Sequence, residues 1–220
     1  MKKVIFTLVI VCFAAMYSHA QFKPEGGTFT TELQFSPFSS QPFSEVGIRG
    51  RYFFNDNLAL RLNLDFGITS SKVESGTGTT KATAKYSETT FSILPGIEYH
   101  LGNMERVSPY VGAELGFTSF GTKAKVEGDN YTSEITNGGS DRDGYNELGI
   151  GIVLGVDFYI VQGLYMGAEL GFGFGMATAK KGEESVTVGG SNTTNKYEDK
   201  ASAMNVGFNC IPQIRLGWRF

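Results

Sequence analysis

Charged side chains stand at alternate positions inside apolar runs along this chain. The set is Glu32, Arg49, Arg51, Arg61, Asp65, Glu98, Glu114, Glu147, Asp157, Glu169 and Arg215. Arg61 and Asp65, for example, interrupt Leu58-Ala59-Leu60-Arg61-Leu62-Asn63-Leu64-Asp65-Phe66. Carboxylates and guanidiniums among leucines can pair with one another, line an ion path, or support acid–base catalysis beside a histidine. His100 follows Glu98 by two residues, at the end of an apolar run and beside a short turn. That place does not suit chemistry at an outer surface, and Glu98 serves His100 equally well as a structural hydrogen-bond partner. No catalytic residue, metal ligand or cofactor is therefore expected. The charges are read as a network.

The elements that must position these groups are strands, because only a period of two separates charge from leucine so regularly. Two near-identical octets set the pattern: Tyr110-Val111-Gly112-Ala113-Glu114-Leu115-Gly116-Phe117 and Tyr165-Met166-Gly167-Ala168-Glu169-Leu170-Gly171-Phe172. Each has an apolar face and a face of glycine, tyrosine and glutamate. Six further stretches alternate likewise, near 27–36, 43–54, 58–68, 86–101, 145–161 and 201–220. Pro95, lacking an amide donor, is expected to mark a bulge or bend in the fourth. The connections alternate in length. Asn55-Asp56-Asn57, 102–108 and Gln162-Gly163 are short, 37–42 is modest, and 70–85, 122–144 and 179–200 are long, polar and Gly-rich.

A basic start at Lys2-Lys3, an apolar run from Val4 to Ala15 and small residues at Ser18 and Ala20 read as an export leader over 1–20. The mature domain is then 21–220. No later stretch reaches the roughly 20 apolar residues of a spanning helix. Past the leader, Cys210 is the single cysteine, which leaves no intrachain disulfide and no cysteine metal site. Glycine is abundant at 29 residues and Phe plus Tyr reach 28, against one Trp. Small residues suit a crowded interior and aromatics suit membrane interfaces. A net charge of −3 excludes the basic footprint of a nucleic-acid binder.

These observations predict an all-β fold: an eight-stranded antiparallel up-and-down transmembrane β-barrel with short periplasmic turns and longer extracellular loops. Eight strands enclose a lumen that side chains fill. The even count brings both termini to the periplasmic rim. The arginines come from segments two, three and eight, which are neighbours through segment one after closure, while segments four to seven carry only acids. A basic wall then faces an acidic one. The two octets, running in the same direction at matching depth, are read as architecture, with Glu114 and Glu169 on the acidic wall.

The terminal Gln213-Ile214-Arg215-Leu216-Gly217-Trp218-Arg219-Phe220 resembles the C-terminal assembly signal of bacterial outer-membrane proteins. Trp218 and Phe220 occupy the alternating outward positions of that signal, and Arg215 departs from the glycine the pattern prefers. The mature chain as a whole resembles the small OmpA/OmpX-type barrels. The resemblance implies an outer-membrane location, surrounding lipid as a partner, and recognition by the barrel-assembly machinery through the last strand. A structural or surface-interaction role, in envelope integrity or adhesion, is expected through loops near 73–85, 122–143 and 180–200. Their partner is unidentified, and Val186-Thr187-Val188 is a candidate edge for strand pairing. The alternative is a narrow, weakly cation-preferring conduit gated by lumen salt bridges.

Overall fold

The computed structural model describes residues 22–35, 47–77, 80–101, 104–138, 143–197, 202–207 and 213–220. The leader expected over 1–20, the 37–42 connection and Cys210 lie outside the described residues. Twelve strands are present among them: β1 (Phe29–Phe35), β2 (Gly47–Phe53), β3 (Leu58–Thr77), β4 (Thr80–His100), β5 (Val107–Gly128), β6 (Tyr131–Thr136), β7 (Tyr145–Val161), β8 (Leu164–Ala179), β9 (Gly182–Val188), β10 (Ser191–Tyr197), β11 (Ser202–Gly207) and β12 (Gln213–Arg219).

Eight of them close a ring. The order β1-β2-β3-β4-β5-β7-β8-β12 returns to β1 through antiparallel pairs throughout. β11 continues the eighth wall position above β12, also pairing with β8. The register carries a stagger. From Ser108 the paired residues run Asp157, Gly167, Arg215, Gln34, Gly47, Asp65 and Ser92, returning to β5 at Thr118, ten residues further along. Strands in such a ring are tilted, by about 35–45° in closed membrane barrels. Outward side chains form the apolar band: Leu33, Ile48, Leu60, Phe66, Ile150 and Phe172 are all more than 40% exposed, on a face that meets lipid.

The three long polar stretches are not loops. β3 and β4 stay paired up to Thr77↔Thr80, and β5 continues alongside β4 as far as Thr83↔Glu127. β6 then pairs with β5, β9 with β6, and β10 with β9. A sheet of β3, β4, β5, β6, β9 and β10 thus rises beyond the apolar band. With water on both faces, its strands need no apolar side, so the period that marks the wall is missing from their sequence. The β9–β10 turn is Gly189-Gly190, both with positive φ, as a two-residue hairpin requires. Val186-Thr187-Val188 is consequently interior, covered by β6 on one side and β10 on the other; the edge strand is β10.

Pro95 also departs from expectation. It pairs in register with Leu62, and the β4–β5 register is the same below it (Gly96↔Glu114) and above it (Ile93↔Phe117). There is no bulge. Two rungs toward β5 are simply absent, because both depend on one amide donor that proline lacks.

Candidate functional site: a bridged lumen

The inward faces of the wall strands converge on one charge network in the periplasmic half of the lumen. Glu32 lies between three arginines: Arg51 at 2.5 Å, Arg215 at 3.2 Å and Arg49 at 3.4 Å. The Arg51 contact is an ion pair whose angle is poor for a hydrogen bond. Arg51 reaches across the lumen to Asp157 (2.8 Å) and Glu98 (3.0 Å). Arg61 pairs with Glu98 and Glu169 at 3.0 Å each and with Glu114 at 3.2 Å. Arg49 donates two hydrogen bonds to the Glu169 carboxylate, both 2.9 Å. Arg215 holds Asp157 at 2.8 Å. Arg51, Arg215, Glu98 and Asp157 are 0% exposed. A lone buried ion costs several kcal/mol, so four arginines and five acids coexist here only because each arginine touches several partners.

Glycine makes these contacts possible. On a strand rung, the side chains of two strands flanking a third can meet only if the middle residue has no Cβ. Tyr110 pairs with Gly155, which pairs with Glu169, and the Tyr110 hydroxyl crosses the glycine to donate to that carboxylate. Tyr165, Gly217 and Glu32 repeat the arrangement two strands on, with a 2.9 Å hydrogen bond. Arg61 crosses Gly96 to Glu114, and Arg215 crosses Gly167 to Asp157. A Cβ on Gly167 would lie 2.7 Å from Asp157 Oδ1, and one on Gly96 2.9 Å from the Cβ of Glu114. The two octets therefore do the same job. Each sends a tyrosine over a neighbour's glycine to a glutamate. Because rungs climb around the tilted wall, the tyrosines sit at nearly equal depth although they share no rung. Both rings also lie under guanidiniums, Arg215 at 5.2 Å from the Tyr110 centroid and Arg51 at 5.1 Å from that of Tyr165.

Of the residues singled out in the sequence, Glu32, Arg49, Arg51, Arg61, Glu98, Glu114, Asp157, Glu169 and Arg215 are drawn into this cluster. Asp65 and Glu147 share the inward face but stand higher, half-buried, on rungs with Ser92 and Thr118. What the sequence reading missed was the partnership of the tyrosines and glycines. The signal was available, since those glycines recur at inward positions between charged rungs. His100 sits beneath the cluster, its Nε2 3.3 Å from Glu98 and its Nδ1 2.9 Å from the Ser108 hydroxyl. Ser108 and His100 are each 2% exposed, so the row is buried from solvent.

Above Glu114 the lumen changes character. Gly116, Gly149 and Gly175 share one rung and Gly151 and Gly173 another; Gly175 is buried under the Glu147 side chain and the others are half-exposed. This half is less densely charged: Leu94 lies beside Gly116, and higher up Phe120 stacks on Tyr145 with 5.3 Å between ring centroids.

A family model described as the OmpA-OmpF-like porin family matches residues 31–220. Among solved structures, the N-terminal β-barrel domain of Pseudomonas aeruginosa OprF is 14% identical, with 90% of this chain and 100% of that chain covered and a TM-score of 0.43. A major outer membrane protein from Thermus thermophilus is 11% identical, with 88% and 99% covered and a TM-score of 0.46. Ail, the attachment invasion locus protein of Yersinia pestis, is 12% identical, with 90% and 100% covered and a TM-score of 0.34. No curated protein matches the chain in sequence.

Proposed function

We propose, for a chain that belongs to the OmpA-OmpF-like porin family of the bacterial outer membrane, a structural and surface-interaction role in which a closed barrel anchors a β-sheet held above the membrane. The observation that carries this reading is the burial of the lower lumen's charges: none of Arg49, Arg51, Arg61 and Arg215 is more than 1% exposed, and each touches several carboxylates across the lumen. A path for hydrated ions would have to break several buried ion pairs at once. The part left to meet a partner is the extended sheet, with Lys72, Glu74, Lys85, Lys123, Lys125, Glu127 and Glu134 paired across its surface and β10 as its outer edge. In this reading the last strand, with Trp218 and Phe220, is what the barrel-assembly machinery engages.

The test is conductance. Refolded protein in planar bilayers is expected to give no resolved current steps. Discrete cation-selective steps in the wild type, altered by Arg61→Ala or Glu114→Ala, would replace this reading with a gated conduit. The glycines of the upper lumen and the excess of acids over arginines in the cluster favour that second reading. For the surface role, deletion of 182–195 removes β9 and most of β10. It should leave heat-modifiable barrel migration intact while abolishing attachment of cells that display the protein. Attachment that survives the deletion would move the role elsewhere on the surface.

A further inference from the structure

The outer wall carries a hollow of about 610 Å³ in its lipid-facing side, and we infer that it is a binding site for a long-chain primary alcohol. This goes beyond the surface role proposed above and uses different residues.

The hollow follows from side-chain size along two rungs. Ile97, Ala113 and Ile152 share one, and the alanine methyl cannot fill the space between two isoleucines. One step up, Pro95 stands beside Leu115, and Leu115 pairs with Ile150. Apart from Glu114, whose carboxylate turns inward to Arg61, the lining residues are apolar, and the volume falls in the range of small-molecule sites, about 300–1,000 Å³. Apolar outward residues continue on both sides of it along the wall, Leu64 and Phe66 above and Tyr99 and Leu101 below, so it opens to hydrocarbon rather than water.

One polar group is stranded there. Both absent β4–β5 rungs, at Leu94 and Pro95, would need an amide at position 95 donating to the Leu115 carbonyl. Proline has no such hydrogen, so the ladder leaves that oxygen without a donor between two residues that line the hollow. In hydrocarbon an unsatisfied carbonyl is costly and no water is at hand to relieve it. A lipid acyl chain would fill the volume but offers no proton. A straight chain ending in a hydroxyl supplies both the apolar body and the single donor. The Glu114 carboxylate and Arg61 meet on the lumen side of the wall, so the site asks for no charge.

The experiment uses the full mature chain refolded in lipid nanodiscs, with isoleucine δ1 methyls labelled so that Ile97, Ile150 and Ile152 report. 1-Dodecanol should give saturable shifts at these methyls, binding about fivefold more tightly than dodecane, which is the worth of one net hydrogen bond. Pro95→Ala restores the donor and should erase that preference while leaving dodecane binding in place. Ala113→Phe fills the hollow and should abolish saturation by both; if it fails the heat-modifiability check for folding, Ala113→Ile should weaken binding of both. Shifts that rise linearly without saturation would mean that bulk lipid alone occupies the hollow, and would overturn the inference. So would an alcohol preference that survives Pro95→Ala.

Discussion

The two halves of the lumen are built on the same strands and the same inward positions, yet one is a dense charge network and the other is more loosely filled. Below Glu114, inward residues alternate between large charged or aromatic groups and the glycines they cross: Tyr110 over Gly155, Tyr165 over Gly217, Arg215 over Gly167. Above it, the glycines on β5, β7 and β8 share rungs with one another, Glu147 rests on Gly175, and only Leu94 lies beside Gly116, at ordinary contact distance. Glycine in the lower half makes room for a side chain reaching across a strand, whereas Gly116, Gly149 and Gly173 in the upper half have no charged side chain against them. An inward glycine in a narrow barrel therefore has no fixed meaning. Its role depends on what stands on the flanking strands of its rung.

The strongest way to break this contrast is to remove an acid from each half. Glu32→Ala leaves Arg49, Arg51 and Arg215 facing one another without their shared carboxylate. Removing one partner of a buried pair costs about 3–5 kcal/mol. Glu147→Ala, on a half-exposed rung, should stay within about 0.5 kcal/mol of wild type, as ordinary surface changes do. Urea unfolding in lipid vesicles, followed by the fluorescence of Trp218, measures both. Equal losses would mean that the halves do not differ energetically.

The glycines sharpen the same comparison at smaller scale. A Cβ on Gly155 would enter the ring of Tyr110, which cannot retreat without giving up Glu169. Gly155→Ala should therefore cost about 1–3 kcal/mol, the usual penalty of overpacking. A Cβ on Gly116 would meet Leu94 Cδ2 at 3.6 Å, an ordinary contact. There the alanine restricts the unfolded chain, and the substitution should stabilise by about 0.4–1 kcal/mol. The same unfolding titration reads both, and opposite signs are the expected result.

The legibility of the fold divides along related lines. In the wall, one face is committed to lipid, so a period of two is written directly into segments such as Leu58 to Ile68, and the ring, its strand count and its facing could be read. The clustering of arginines on β2, β3 and β12 was legible because neighbours in a closed ring follow from strand order alone. The extension strands were not, since polar residues such as those from Ser191 to Lys196 have no face to hide; pairing with β9 makes them a strand. Gly189-Gly190 after Val186-Thr187-Val188 was the one local hint of that hairpin. The bridges over glycine were hidden for another reason. A rung partner is fixed by register, and the ten-residue stagger around the ring emerges only when all eight strands are aligned.

The extended sheet offers the smallest and most local effect. Lys125 donates to Glu127 at 2.6 Å and, with Lys85 at 3.6 Å, holds its carboxyl below the usual range. A carboxyl depressed in the folded state contributes fully above its unfolded pKa, and that contribution disappears as pH falls through the lowered value. Both partners are open to solvent, and exposed pairs of this kind are weak and screened by salt. Glu127→Gln should leave barrel unfolding untouched, with faster amide exchange confined to the paired ends of β4, β5 and β6. The difference from wild type should shrink in acid and at high salt. Hydrogen exchange with residue-level resolution tests this. Faster exchange spreading down to Tyr110 or Tyr165 would mean that the sheet and the packed lumen unfold together, and that the surface sheet shares the stability of the buried network beneath it.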